Sequence, residues 1–307
     1  MKIRPSMRWA ALAATLLTTT TAFALEVIIP WPEGGETDAL MRPIVPHLAK
    51  HLGEKVTAMN LPGNFGTTGV FEAARRPADG NHVVSVHEYL FSVLRSGKIS
   101  ADPLADLRAV CGIVYVPSIL GGQKSAAGND TLKKLLAGKK QLTASWTVGP
   151  TSTNFMLLAL LEKTAGVKIE FKQYSSKAAA VSALNDGEVD IAEINPEILL
   201  DQANSKIVPL ALSAAKRDQR LPAVATLSEQ GVNVDYSVHR GLAVPAKTPP
   251  AARARLEKAC QQAAAERELD GELVRLGARG VFLGADQYEL YLKRNRDLYA
   301  SGIGPRN

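Results

Sequence analysis

The chain has 307 residues, with 36 Lys and Arg against 30 Asp and Glu, and two cysteines. That length is more than one hydrophobic core comfortably serves, so two domains are expected. The net charge of +6 is scattered, with no Lys/Arg run interleaved with aromatics, which excludes a nucleic-acid patch, and no Cys/His spacing resembles a metal site, so neither metal nor cofactor is expected.

Lys2, Arg4 and Arg8 precede an apolar run from Trp9 to Leu17, a Thr-rich patch and Ala22-Phe23-Ala24, the pattern of a secretory signal peptide cleaved after Ala24. The run is shorter than the roughly 20 residues of a membrane span. A soluble, periplasmic mature protein of about 283 residues (307 minus 24) is expected. Its net charge falls to +3, because three basic residues leave with the signal (33 minus 30).

Leu25 to Ile29 reads as a short strand, and Pro30-Trp31-Pro32-Glu33-Gly34-Gly35-Glu36-Thr37-Asp38 as a tight turn and helix start. Adjacent glycines let backbone amides face a bound group, and a helix N-terminus offers unpaired donors, so this turn suits an anion. Alternatively, Thr37 or Asp38 simply caps the helix with a side-chain oxygen. Leu40, Ile44, Val45, Leu48 and Leu52 keep helical spacing, but Pro43 and Pro46 interrupt it, predicting either a kink or a helix that begins near Pro43. Lys55 to Asn60 is a predicted strand, Pro62-Gly63-Asn64-Phe65-Gly66 a second glycine turn, Thr68 to Arg75 a helix and His82 to Val86 a strand. His87 follows that strand's carboxyl end, where ligands sit in open α/β sheets. It is a candidate ligand contact or, alternatively, a surface loop histidine.

Arg108 to Tyr115 and Ser118 to Gly122 read as strands with a hinge-like step at Pro117, and Asp130 as the cap of a helix to Ala137. After the strand Leu142 to Trp146, the turn from Thr147 to Asn154 is crowded with hydroxyls and leads into an apolar helix, Phe155 to Ala165. Strands Ile169 to Tyr174, Val189 to Ala192 and Val208 to Ser213 alternate with a helix from Lys177 to Asp186 and another opened by Asn195-Pro196. Thr226 to Gln230 reads as a short helix, Gly241 to Pro245 carries the chain back to the first domain, and Pro250 opens a long amphipathic helix. Leu269 to Leu276, Val281 to Leu283 and Asp286 to Tyr299 complete the chain as helix, strand and helix. Such alternation predicts two α/β domains with largely parallel sheets. Cys111 in a strand and Cys260 in a helix either pair in an oxidising compartment or remain two buried thiols.

Several motifs recur in a familiar order: Pro-aromatic-Pro-x-Gly-Gly-x-Thr-Asp at Pro30 to Asp38, Pro62-Gly63-x-x-Gly66, Pro77-Ala78-Asp79-Gly80, and Thr164-Ala165-Gly166-Val167 with Tyr174. Gly187-Glu188-Val189-Asp190, the run from Leu221 to Gly231, and Gly241-Leu242-x-Val244-Pro245-Ala246-x-Thr248-Pro249 close the set. Over nearly all of the mature chain the sequence resembles the periplasmic receptors of tripartite tricarboxylate transporters, the Bug receptors. The resemblance implies a two-lobed, flytrap-like periplasmic-binding-protein fold of type II, each lobe a mostly parallel sheet flanked by helices. Residues 25–122 with 245–307 would form the first lobe and 123–244 the second, after a signal peptide at 1–24. It also implies a monomeric receptor that encloses a small organic carboxylate or amino acid and presents it to membrane permease subunits, with no nucleic-acid partner.

In that family, turns of both lobes hold the ligand through backbone amides and bridging waters. The matching positions are Trp31, Gly34, Gly35, Thr37 and Asp38 on one lobe and Ser152, Thr153 and Asn154 on the other, with His87 and Asn195 as further candidates. The sequence departs from the family pattern around this cleft. Glu33 replaces a small residue, Phe155 a histidine, Ser175-Ser176 a Lys-Gly-like pair and Ile194 an acidic residue, while Val238-His239-Arg240 stands where an aromatic region is usual. Glu33, Glu36, Glu88 and Glu193 either face the cleft, disfavouring a simple dicarboxylate and favouring a ligand with an ammonium group, or point to solvent.

Two other outputs compete. A loaded receptor could signal to a membrane sensor instead of feeding a permease. A hydrolase would need Ser152 or Ser85 as nucleophile with His87 as base, but there is no Gly-x-Ser-x-Gly elbow, dinucleotide fingerprint or phosphate-binding Gly-Lys-Ser/Thr loop.

Overall fold

The computed structural model describes residues 24–95, 99, 102–125, 130–147, 153–194, 199, 206–234 and 236–301. The signal-peptide segment through residue 23, Ser152 and Asn195 lie outside the described residues, and of Thr153 only the backbone is described.

Eleven strands among the described residues form two sheets. The first has the order β11-β4-β10-β3-β1-β2, built from β1 (Leu25–Ile29), β2 (Val56–Asn60), β3 (His82–Val86), β4 (Leu107–Val116), β10 (Val238–Pro245) and β11 (Arg279–Leu283). The second has the order β7-β6-β8-β5-β9, built from β5 (Ser118–Gln123), β6 (Gln141–Thr147), β7 (Lys168–Tyr174), β8 (Ile191–Ile194) and β9 (Ile207–Ser213). Helices α1 (Glu36–Met41), α2 (Ile44–Leu52), α3 (Thr67–Arg75) and α4 (Ser92–Arg95) come from the first pass through lobe one. α5 (Leu132–Gly138), α6 (Thr153–Ala165) and α7 (Lys177–Asp186) flank the second sheet, and α8 (Pro250–Ala264), α9 (Arg267–Arg275) and α10 (Ala285–Ala300) return to the first. This is the α/β, two-lobed flytrap-like architecture that the resemblance implies.

Both sheets are mixed, which corrects the expectation of mostly parallel sheets. β1 pairs in parallel with β2 and β3, and β6 with β7 and β8, but β10 is antiparallel to β3 and β4, β5 to β8 and β9, and β11 to β4. For β5 and β10 the reason is the double crossing. β5 and β10 enter their sheets from the crossover and run away from the cleft, whereas every neighbour they have runs toward it.

Strand membership also moves the expected lobe limits. β5 belongs to the second sheet and β10 to the first, so the chain crosses at Pro117 and again before Val238 rather than after residues 122 and 244.

The proline question at Pro43 resolves as two helices. α1 ends at Met41, and α2 begins after Pro43 with Pro46 in its first turn, where the missing N–H had no intrahelical partner to lose. Thr131, not Asp130, caps α5: its side chain accepts from the Lys134 amide, while Asp130 accepts from the Ser125 amide. Cys111 and Cys260 form a disulfide joining β4 to α8. Among the described residues no helix is long and apolar enough to cross a membrane.

Candidate functional site

The parallel strands of both lobes end at one cavity of about 380 Å³, within the range of small-ligand pockets. Trp31 follows β1 and His87 follows β3; Thr147 ends β6, Lys177 opens the helix after β7, and Glu193 lies near the end of β8. Ligands occupy this place in open α/β sheets because strand ends and helix starts leave backbone and side-chain groups free to converge there.

On the first lobe, the Pro30 to Asp38 turn is held from behind. Asp38 is buried and its carboxylate accepts from the Gly34 amide at 3.0 Å, from Asn60 at 2.9 Å and from the Arg42 guanidinium at 2.6 Å. Burial pulls its pKa up, but these bonds from Arg42, Asn60 and Gly34 outweigh it and hold the carboxyl below the usual aspartate value. Asn60 also donates to the Trp31 carbonyl at 3.0 Å. The Gly35 amide donates to the Pro32 carbonyl at 3.1 Å. The two glycine amides that suggested an anion cradle are therefore engaged within the turn. Gly34 and Asp38 shape the site from outside the cavity wall, while Trp31, Gly35 and Thr37 line it.

The second glycine turn supports Trp31. Asn64 and Phe65 both have positive φ between Gly63 at +137° and Gly66 at +89°, a strained run for residues with a side chain. A Cβ on Gly66 would stand 2.9 Å from the Trp31 ring, so glycine is what lets the indole lie against this turn. The same ring also meets His87, with centroids 4.4 Å apart.

His87 is buried, not a surface loop residue. Burial first, and then the nearby Arg240 charge, push its pKa well below the ordinary histidine value, so the ring is neutral at physiological pH. Its Nδ1 accepts from the Tyr89 amide at 3.4 Å, which places the ring proton on Nε2, 3.3 Å from the Thr37 hydroxyl oxygen. The same oxygen accepts from Arg240 Nε at 3.5 Å. With two donors aimed at its oxygen, Thr37 keeps its hydroxyl hydrogen for a further acceptor.

Arg240, on β10, lines the cavity and is only 4% exposed, with Nη1 buried and unpartnered among the described residues. Its Nη2 donates to Glu36 at 2.8 Å, and that glutamate's side chain is 71% exposed. The Arg240 charge, against desolvation and with help from Lys177, holds Glu36 below the ordinary glutamate pKa. Across the gap Lys177 pairs with Glu193 at 3.2 Å. Burial raises the Glu193 pKa, Lys177 and a Ser118 hydrogen bond oppose that, and Glu36 adds to it. Asn154 donates to Thr147 at 3.2 Å, and both line the second-lobe wall.

Of the residues proposed from sequence, Trp31, Gly35, Thr37, His87 and Asn154 line one cavity. Of the four glutamates, Glu36 and Glu193 reach it; Glu33 is 80% exposed beside Arg42, and Glu88 is buried behind the site against Tyr291. Tyr89, Thr147 and Lys177 line it too and were not singled out from the sequence. Thr147 follows the carboxyl end of one predicted strand and Lys177 opens the helix predicted after the next, which was a usable signal. Among the described residues no group of three or more His, Cys, Asp or Glu side chains is placed to hold a metal.

The comparisons agree with this architecture. The model of the tripartite tricarboxylate transporter family receptor, TctC, matches residues 40–295. The chain is 27% identical over 221 residues to the protein BugT of Bordetella pertussis, covering 69% of this chain and 67% of that one. A TctC solute-binding protein from Polaromonas, solved without ligand, superimposes with a TM-score of 0.84 at 24% identity, covering 93% of this chain and 99% of the other. A Rhodopseudomonas palustris protein solved with adipate superimposes with a TM-score of 0.69 at 23% identity, covering 92% and 97%. A family model that spans most of the chain, on a fold whose two lobes converge on one cavity, places this protein among the tripartite tricarboxylate transporter family receptors.

Proposed function

We propose that this protein is an exported solute receptor that closes two lobes around a small carboxylate and delivers it to a membrane permease of the tripartite tricarboxylate type. The observation that carries this reading is a buried arginine in the wall of an inter-lobe cavity, Arg240, beside the hydroxyl of Thr37 and opposite Thr147 and Asn154. A carboxylate held there takes charge-assisted hydrogen bonds, each worth roughly 1.5–3 kcal/mol. Adipate in a structural relative is a ligand of the same class. Export rests on the basic, apolar and small-residue pattern of the first 24 residues.

Binding without turnover is favoured because the base an enzyme would need is committed elsewhere. His87 is buried and spends both ring nitrogens on Thr37 and Tyr89, while among the described residues the buried Ser85 hydroxyl has no partner and so does not form a pair with it.

The test is a thermal-shift screen of the mature protein against small carboxylates. A ligand at about 100 times its Kd stabilises the fold by roughly 2.7 kcal/mol, easily seen as a raised midpoint. The reading fails if no small carboxylate shifts the midpoint, and chemical conversion of a ligand in the same wells would reopen the enzyme case. A strain lacking the protein should lose uptake of the ligand so identified; unchanged uptake would remove the permease part.

A further inference from the structure

Among the described residues, the charges around the cavity come as two ion pairs, one from each lobe. Arg240 holds Glu36 at 2.8 Å, and Lys177 holds Glu193 at 3.2 Å. They also act across the gap, since Lys177 lowers the Glu36 pKa and Glu36 raises that of Glu193. With His87 neutral, the formal charge of the described lining residues is zero.

The two partners of the first pair are unequal. Arg240 is fixed in the wall with its side chain 5% exposed, whereas the Glu36 side chain is 71% exposed and can turn toward solvent or ligand. Arg240 Nη1 has no accessible surface and Nε faces Thr37, so a carboxylate that enters the cavity meets the guanidinium at Nη2 and must displace another carboxylate, the one on Glu36. What happens to Glu36 then decides the ligand. A second carboxylate on the ligand would leave Glu36 unpaired beside a like charge in a partly desolvated site, a costly arrangement. An ammonium on the ligand would pair with the displaced Glu36, and Glu193 stands on the opposite wall to receive it as well. The exchange then ends with no ion lacking a partner.

We propose that this cavity selects a small zwitterion, one carboxylate seated on Arg240 in place of Glu36 and one ammonium received by the displaced Glu36 and by Glu193. This rests on the receptor reading above and adds the ligand class and the residues that choose it. Glu36 serves as the internal occupant of the carboxylate seat in the empty receptor and as the ammonium partner in the filled one.

The experiment is isothermal titration of the mature protein with matched probes: glycine, β-alanine and γ-aminobutyrate as zwitterions, malonate and succinate as dicarboxylates, and butyrate as a plain monocarboxylate. At least one zwitterion should bind ten-fold or more tightly than the dicarboxylate of the same carbon number. Arg240→Gln should weaken that zwitterion about 100-fold. Because Arg240 is buried and its loss can disturb folding, the exposed Glu36→Gln variant is the second arm. In it the preference for γ-aminobutyrate over butyrate should fall at least ten-fold, since butyrate no longer competes with an internal carboxylate and the amine loses its partner. A dicarboxylate that outbinds every zwitterion, or a γ-aminobutyrate to butyrate ratio unchanged in Glu36→Gln, overturns the zwitterion proposal and leaves the receptor reading intact. Failure of every carboxylate to bind overturns both.

Discussion

The hydroxyl of Tyr288 donates to the carbonyl oxygen of Val86 at 2.6 Å, tying α10 to the last residue of β3 immediately before His87. The Tyr288 hydroxyl also lies 3.3 Å from the carbonyl oxygen of His239, the residue before Arg240. One buried tyrosine thus sits behind both strands that carry the site. Tyr288→Phe should cost about 1–3 kcal/mol, because a buried carbonyl loses its donor. It should also weaken ligand binding by loosening His87 and Arg240 together. Urea denaturation and titration of the same preparation check both effects; unchanged affinity would show that the hydroxyl stabilises the fold alone.

Gly241 is the residue that lets Tyr288 take this place. A Cβ there would lie 2.0 Å from the Cys111 carbonyl oxygen and 2.5 Å from the Tyr288 ring, and the β4–β10 register shifts between Arg240 and Gly241. Gly241→Ala should destabilise by about 3 kcal/mol or more through overpacking against backbone that cannot yield. A thermal midpoint equal to wild type would contradict this packing.

Asp38 serves as scaffold, and its variants should behave accordingly. Asp38→Asn keeps the shape but loses the charge that Arg42 and the Gly34 amide bind, at a cost of roughly 2 kcal/mol. Since its folded pKa is depressed, this stability is present above the ordinary aspartate pKa and disappears as pH falls through the lowered one. The wild-type advantage over Asp38→Asn should therefore vanish in strong acid, as measured by chemical denaturation at a series of pH values.

Glu88 works in the opposite direction. It is wholly buried, and burial raises its pKa from 4.5 to about 7, against the Tyr291 hydrogen bond and the Arg240 charge and with a small push from Glu36. A carboxyl with a raised folded pKa holds its proton more tightly folded than unfolded, so stability falls as pH climbs from about 4.5 to about 7 and then levels. The loss is on the order of 3 kcal/mol. Glu88→Gln should flatten that slope; a slope that persists would assign it to another group.

The Cys111–Cys260 bond closes a sequence separation of 149 residues, linking the strand before the first crossing to the helix after the return. Its replacement by two alanines should cost about 2–4 kcal/mol. It belongs to the first lobe and stands apart from the cavity walls, so ligand affinity of the folded variant should match wild type in calorimetry.

Local chemistry made much of this protein legible in its sequence. The alternation of β-period and helix-period segments, the glycine turns after β1 and β2, the strand ends that carry Trp31 and His87, and the helix start that carries Asn154 all follow from rules acting over a few residues. The direction of β5 and β10 and the pairing of Cys111 with Cys260 depended instead on where the chain crosses between lobes, which no local pattern records. So did the balance of charge in the cleft. Arg240 and Glu36 are 204 positions apart, and only the return of β10 to the first sheet brings the arginine beneath the glycine turn. Residue types set which groups were capable of binding an ion; folding decided which of them are already bound to each other, because Coulomb attraction depends on distance and burial rather than on order along the chain.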